Sequence, residues 1–439
     1  MSQSPFRFTG SLASLDRQPE LRRQLIDRAV ARDGDSIRAA TSAIIDRVRR
    51  EGDDALHALA RELDGVALEA LEVPAAVLTR ALDGLDARLR MALERAAANI
   101  ANAHRAFLPV ATEVETEPGI IVGRRPDPFD TVGVYAPGGR GAYPSSVLMG
   151  VVPAKVAGVR SVILCSPPDR DGVPSRVVLA AAVIAGADRV FALGGAGAIA
   201  AMAHGTASVP RVARIVGPGN AYVAEAKLQV QASGAVAIDS PAGPSELLVI
   251  ADGSANPDAI ARELLAQAEH DPMTSVVLLT DDARIGADVA RRVQTMLPSQ
   301  HRTSIIADAL KDRSAIIWSE SMDELIALAA DYAPEHLLLT GPRAEATLAD
   351  IRNAGTVFIG QYSSVAYGDY MTGANHVLPT GGTARSYSGL STGDFMRWTT
   401  YQRVSRSAAA RLASDVALIA ESEQLDGHAR AARAWESIA

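Results

Sequence analysis

The sequence predicts an α/β protein built from two Rossmann-like parallel-sheet domains with helical N-terminal and C-terminal segments. Three observations predict it. After Pro109, short runs rich in Val, Ile and Leu alternate with Ala-rich helical stretches, the pattern of a mostly parallel sheet covered by helices. The runs are too many for one ordinary sheet. The 439 residues also exceed what a single core usually holds.

The elements follow in order. Residues 1–110 read as a helical region. "LRRQLIDRAVAR", "DSIRAATSAIIDRVRREGDDALHALARELD" and "PAAVLTRALDGLDARLRMALERAAANIANAHRAFL" carry apolar residues at three- and four-residue spacing. Residues 131–245 form one α/β domain, with "TVGVYAPGG", "SVILCSPP" and "RVFALGG" as strands and "VLMGVVPAKVAG" and "VVLAAAVIAG" as helices. Residues 111–130 and 246–380 form the second, whose strands include "ELLVIAD", "TSVVLLTDD", "SAIIWS", "HLLLTG" and "TVFIG". Residues 381–439 are a helical tail, too short for a core of its own, that packs on something else, such as a partner subunit.

The bulk numbers exclude several classes. The net charge of −8 repels phosphate backbones, so no nucleic-acid partner is expected. "RVVLAAAVIAGADRVFAL" is broken by Gly186, Asp188 and Arg189 and reads as a buried helix and strand, not a membrane span. The N-terminus lacks a basic segment followed by an apolar run. Cys165 is the one cysteine, so no intrachain disulfide forms. A cytoplasmic enzyme is the expectation. Cys165 ends an apolar strand with no cation nearby, and reads as an inert buried thiol.

Three glycine-rich turns follow strands in the first α/β domain: "VYAPGGRGAYPSS", "FALGGAGAIAAMA" and "RIVGPGNAYVAEAK". A glycine turn that opens a helix offers free N–H groups to phosphates. Gly195–Ala200 matches the G-x-G-x-x-A form of the dinucleotide fingerprint, but the acidic residue that would hold a ribose is missing downstream. Tight helix–strand packing explains that one turn equally well. Three turns together favour a nucleotide or phosphate ligand, bound in a non-standard way.

Polar residues in this apolar protein gather in a few places. In "NPDAIARELLAQAEHDP", Asn256 caps a helix that Pro257 opens, Asp258 follows in the first turn, and Pro272 stops the chain. Gln267 falls at the edge of the buried stripe and His270 farther round it, while Glu269 points to solvent. Alone, this Q-x-x-H reads better as a hydrogen-bonded boundary than as metal ligands. "YAPEHLLLT" places Glu335 and His336 at the mouth of a strand, where an imidazole can act as general base and the carboxylate can handle a second proton. "YGDYMTGANHVLPTGG" puts Asp369 and His376 in a long loop packed over a site. "ESEQLDGHARAA" supplies Glu423 and His428, with Gly427 interrupting the helix between them. His57, His104 and His301 read as surface, and His204 as a boundary residue. Two histidines, an aspartate and a neutral oxygen donor suit zinc or manganese.

At this point the blocks "GPGNAYVAEAK", "AIDSPAGPSELLVIAD", "LLAQAEHD", "YAPEHL" and "GDYMTGANHVLPTGGTARSYSGLS" resemble the histidinol dehydrogenase family, nearly end to end and in the family's order. The resemblance implies a zinc- and NAD-dependent enzyme that oxidises L-histidinol through L-histidinaldehyde to L-histidine. It implies that Gln267, His270, Asp369 and His428 bind one zinc ion and that Glu335 and His336 are the acid–base pair. Ser245, Gln267, His270, His336, Asp369, His376, Glu423 and His428 match substrate-contacting positions. Tyr135, Gly197 and Asn220 match NAD-contacting ones, although Gly197 stands where the family usually has glutamine. A homodimer is implied as well, with Glu423 and His428 crossing to complete the partner's site. The competing readings are a relative acting on another amino or hydroxy alcohol, a zinc hydrolase or deaminase, and a non-catalytic nucleotide-binding protein.

Overall fold

The computed structural model describes residues 4–28, 34–138, 141–241 and 243–436. Gly139 and Arg140, within the first glycine turn, lie outside the described residues. In chain order the strands are β1 (Phe8–Ser11), β2 (Thr112–Glu117), β3 (Ile120–Pro128), β4 (Thr131–Tyr135), β5 (Ser161–Ser166), β6 (Arg189–Ala192) and β7 (Arg214–Val216). They continue with β8 (Ala237–Ile238), β9 (Glu246–Ala251), β10 (Ser275–Thr280), β11 (Ala315–Trp318), β12 (His336–Thr340), β13 (Thr356–Ile359) and β14 (Met396–Val404).

Two parallel sheets form the frame. One runs β6-β5-β4-β7-β8 and the other β1-β11-β10-β9-β12-β13. Apart from the added β1, each places its first strand in the middle, lays the next two to one side, and then crosses to the other. The two sheets therefore repeat one winding, the doubly wound order with a reversal beside the first strand. The α/β expectation holds.

The sequence explains this build. "ELLVIA" and "SVVLLT" are buried at every position, as strands covered on both faces require. Alternate residues serve opposite cores. Leu247, Val249, Val276 and Leu278 pack with Ile260 and Leu264 on one face, while Leu248, Ile250, Val277 and Leu279 pack with Leu325 and Leu328 on the other. Truncating any of these leucines to alanine costs about 2–5 kcal/mol. The first sheet shares its core with the preceding helices: Ile45, Val48, Leu56, Leu93 and Ile100 pack into one cluster with Val132, Val134 and Ile163.

Three features depart from the sequence reading. The N-terminal region is not purely helical, since β1 pairs with β11 and extends the second sheet. Residues 111–130 join neither parallel sheet: β2 and β3 pair antiparallel, and β14 adds to β3 as a third strand. The tail is thus part strand. "TEVETE" is exposed throughout and lacks the apolar alternation that marks a half-buried strand. After β14 the tail forms a helical hairpin, Arg406–Ser422 and Asp426–Arg433. Its break falls at Gln424, which has φ +63°; Gly427 lies inside the second helix. Among the described residues no helix is long and apolar enough to cross a membrane.

Candidate active site

Glu246 opens β9, His336 opens β12, and the two strands are neighbours in register. The helix Pro257–Ala268 leaves the far end of β9 and brings Gln267 and His270 back to this same edge, where Ser275 begins β10. The site thus gathers at the amino ends of the strands. At the carboxyl end, where doubly wound sheets usually bind ligands, Asp252 instead accepts hydrogen bonds from Ser254 and from the Arg343 N–H.

The helix starts as its sequence requires. Asn256 Oδ1 accepts from the N–H groups of Asp258 and Ala259 at 2.9 and 3.4 Å, with Pro257 at the first position. It ends at Ala268, so Glu269 caps it and His270 stands just beyond, exposed. Gln267 is 3% exposed, deeper than an edge residue, and its Nε2 has no hydrogen-bond partner. Glu269 is exposed.

Glu335 and His336 are 6% and 4% exposed. Glu335 Oε2 accepts the Glu246 N–H at 2.7 Å. His336 Nδ1 lies 3.0 Å from the Glu246 carbonyl oxygen, so Nδ1 carries the hydrogen and donates it. His336 Nε2 is buried without a partner. It lies 3.6 Å from Asp369 Oδ1, beyond hydrogen-bond range. The ring stacks on Phe358, with centroids 6.0 Å apart.

Asp369 ends up on a short helix, Val365–Tyr370, instead of in open loop. The Val365 N–H anchors that helix by donating to Glu263 Oε2 at 3.0 Å. His376 stays in the loop, half-buried, with its Nδ1 3.0 Å from the Asp369 carbonyl oxygen.

Charge is arranged around these groups. Burial by itself would lower the His336 imidazole, but Glu335 and Asp369 outweigh it and raise it to about 10. Burial also raises Glu335, with His336 opposing. Asp369 feels the same burial but is held below its ordinary value by His336, His376 and His270. His376 is pushed down by burial against the pull of Asp369. Asp369, His270, His336 and His376 therefore share one field. Ser245, half-buried, immediately precedes Glu246.

The tail residues stand elsewhere. Glu423 and His428 are exposed, at the end of one hairpin helix and on the other. The hairpin's small core is Ala417, Ala420 and Ala429, while Leu418, Ile419 and Trp435 are 67%, 62% and 54% exposed. Within the chain, then, His270 lies near enough to Asp369 to act on its charge, with Gln267 three residues before His270, while His428 stands on the exposed tail hairpin. Among the described residues no three His, Cys, Asp or Glu side chains form a group that could hold a metal ion.

At the reversal of the first sheet, Tyr135 ends β4 and Gly217 follows β7. Gly217 has φ +115°, and a Cβ there would lie 2.1 Å from the Tyr135 carbonyl oxygen, so no other residue fits. The "GPGN" turn is fixed from below by Lys227, which pairs with Asp239 and donates to the Gly217 carbonyl oxygen at 3.0 Å. Asn220 is exposed and caps the helix Ala221–Ala232. Tyr135 is buried, which pushes its phenol up to about 12, and its oxygen accepts the Gly195 N–H at 3.1 Å. Gly197 points elsewhere. A Cβ on it would sit 3.1 Å from Leu59 Cδ1, so this turn packs against the helix Asp53–Leu59.

Two readings of single residues change or sharpen. His104 is 1% exposed with both ring nitrogens unpartnered, not a surface residue. Cys165 is fully buried, and burial raises its thiol far above the ordinary range. Sequence reasoning missed Glu246. The signal was there, because a lone acid heading the all-apolar run "ELLVIA" must find partners.

With this geometry in place, a family model described as histidinol dehydrogenase matches residues 28–435. A histidinol dehydrogenase of Methanothermobacter thermautotrophicus is 44% identical over 410 residues, covering 93% of this chain and 96% of that protein. One from Halobacterium salinarum is 47% identical over 418 residues, covering 95% and 97%. The crystal structure of the enzyme from Elizabethkingia anophelis superposes with a TM-score of 0.93 at 34% identity, covering 99% of both chains.

Proposed function

The chain belongs to the histidinol dehydrogenase family of oxidoreductases, and on that premise we propose that it oxidises L-histidinol to L-histidine through L-histidinaldehyde, with zinc and NAD. The observation that carries the proposal is the buried Glu335–His336 pair, with His336 Nδ1 held by Glu246 and Nε2 left free.

The proton work falls to these two side chains. His336 Nε2 takes the hydroxyl proton as the first oxidation proceeds. The Glu335 carboxylate takes a proton from the water that attacks the aldehyde, and a second oxidation gives the acid. Glu335 and Asp369 both favour the protonated imidazole of His336. Engaging the Asp369 carboxylate as a zinc ligand would weaken its pull on the His336 proton and so favour the neutral, proton-accepting ring. Ser245, His376 and the partner subunit's Glu423 would contact substrate.

The local residues fit a zinc ion. The Gln267 carboxamide oxygen, the His270 imidazole three residues on and the Asp369 carboxylate, which His270 helps hold below its ordinary value, make a nitrogen and oxygen set that zinc accepts. Gln267, His270, Asp369 and the partner subunit's His428 would hold it, and it would supply a fixed anchor for the substrate nitrogens, with Lewis acidity secondary. NAD would lie at the reversal of the first sheet near Tyr135 and Asn220 and supply the hydride acceptor; Gly197, packed under Leu59, adds no side chain there. The exposed apolar residues of the tail hairpin support a homodimer with shared sites. The cytoplasm suits such a biosynthetic enzyme. Comparing nicotinamide reduction with L-histidinol against other amino and hydroxy alcohols separates this reading from that of a relative with another substrate, which a preference for another alcohol would favour.

A further inference from the structure

We infer that the buried Arg28–Glu246 pair is a positioning device for Glu335 and His336; the inference rests on the proposed reading that these two carry the proton transfers. Glu246 touches every part of the base pair. Its N–H donates to Glu335 Oε2 at 2.7 Å, and its carbonyl oxygen accepts from His336 Nδ1 at 3.0 Å. Its carboxylate Oε2 accepts the Glu335 N–H at 3.3 Å. Oε1 accepts the Gly381 N–H at 2.8 Å, which ties in the loop that follows His376.

Arg28 holds this hub from the other side. Its Nε and one terminal nitrogen donate to the two Glu246 oxygens at 2.9 and 3.0 Å. The same terminal nitrogen donates to the Tyr332 carbonyl oxygen at 2.7 Å, and the guanidinium stacks 3.2 Å from the Tyr332 ring centroid. Tyr332 ends the helix Met322–Tyr332, and Ala333, at φ +48°, turns the chain toward Glu335. Arg28 therefore clamps the segments on both sides of the base pair, from 218 positions away in sequence.

The chemistry requires the fork. Arg28 and Glu246 are 8% and 3% exposed. Without a cation, the Glu246 carboxylate would be an unpaired buried charge beside Glu335. It would then swing out of the site, which releases the Glu335 and Gly381 N–H groups. Lysine supplies the charge but not the planar, two-oxygen grip together with the Tyr332 bond.

The test uses Arg28→Lys, Arg28→Met, Arg28→Ala and Glu246→Gln in the full-length enzyme. Positioning predicts that kcat falls about 10- to 100-fold, as small misplacements of reacting groups do, while KM for L-histidinol and zinc content stay within about threefold of the parent. Guanidinium added to Arg28→Ala should restore part of kcat. If Arg28→Met does not fold, Arg28→Lys carries the comparison, since it keeps the charge. A folded Arg28→Lys with kcat within about twofold of the parent overturns the inference, and so does a loss confined to KM. A wild-type chain inactive on L-histidinol would sink the proposed function instead. In that case a crystal structure of Arg28→Lys decides: Glu335 and His336 displaced from Glu246 supports positioning, and both unmoved refutes it.

Discussion

His336 Nδ1 lies 3.0 Å from the carbonyl oxygen of Glu246. A carbonyl can only accept, so the ring is fixed with Nδ1–H toward β9 and Nε2 toward Asp369. If Nε2 is the base, His336→Asn lowers kcat about a hundred- to ten-thousand-fold, the usual worth of general acid–base catalysis, and changes KM little. Glu335→Gln should block the aldehyde step more than the first oxidation. Steady-state kinetics with L-histidinol and with L-histidinaldehyde check both. Full turnover by His336→Asn would remove the assignment.

The metal set makes a second prediction. Gln267 and His270 sit at one helix end, and His270 acts on the charge of Asp369. Gln267→Ala and His270→Ala should each weaken zinc retention, by about tenfold or more, as measured by metal analysis after dialysis against a graded chelator. Glu269→Ala, on the exposed side of the same turn, should keep the parent's zinc. Equal retention in all three variants contradicts the ligand set.

The tail makes a third. Glu335→Gln is damaged in the body of the chain and His428→Ala in the hairpin. If the tail crosses over, dissociating and reassociating a mixture of the two gives hybrids with one intact site, and roughly a quarter of wild-type activity for random two-fold pairing. No recovery means that each tail serves its own chain.

Stability below neutral pH makes a fourth. Burial holds the His104 imidazole below its ordinary value, with Asp394 opposing. A depressed histidine contributes stability that is whole above about pH 6.5, the unfolded value, and is lost as pH falls toward the folded value. Thermal unfolding should therefore show a decline below pH 6.5 that His104→Phe makes shallower. An unchanged pH slope in His104→Phe would assign the decline to other groups.

Much of this was legible in the sequence because local rules and tertiary packing agreed. Asn256, Pro257 and Asp258 announced a helix start that the structure has, and all-apolar runs such as "SVVLLT" announced covered parallel strands. Where the rules failed, the cause was long-range. "TEVETE" becomes a strand only because β3 and then β14, about 280 residues on, pair beside it. His104 sits in a helix with charged neighbours, yet faces the first core. Gln267 looked like an edge residue on helical geometry, but the helix Val365–Tyr370 lies against its own helix, tied through Glu263. Arg28 gave no local sign at all, since its partners Glu246 and Tyr332 are 218 and 304 positions away.

The proposed reaction at this site is a zinc-dependent four-electron oxidation of L-histidinol. The direct measurement is the amount of NADH formed per L-histidinol consumed, with and without a zinc chelator. Two NADH per L-histidinol oxidised to L-histidine are expected, with loss of turnover on chelation and its return on adding zinc. No NADH from L-histidinol by zinc-loaded, folded enzyme would contradict it.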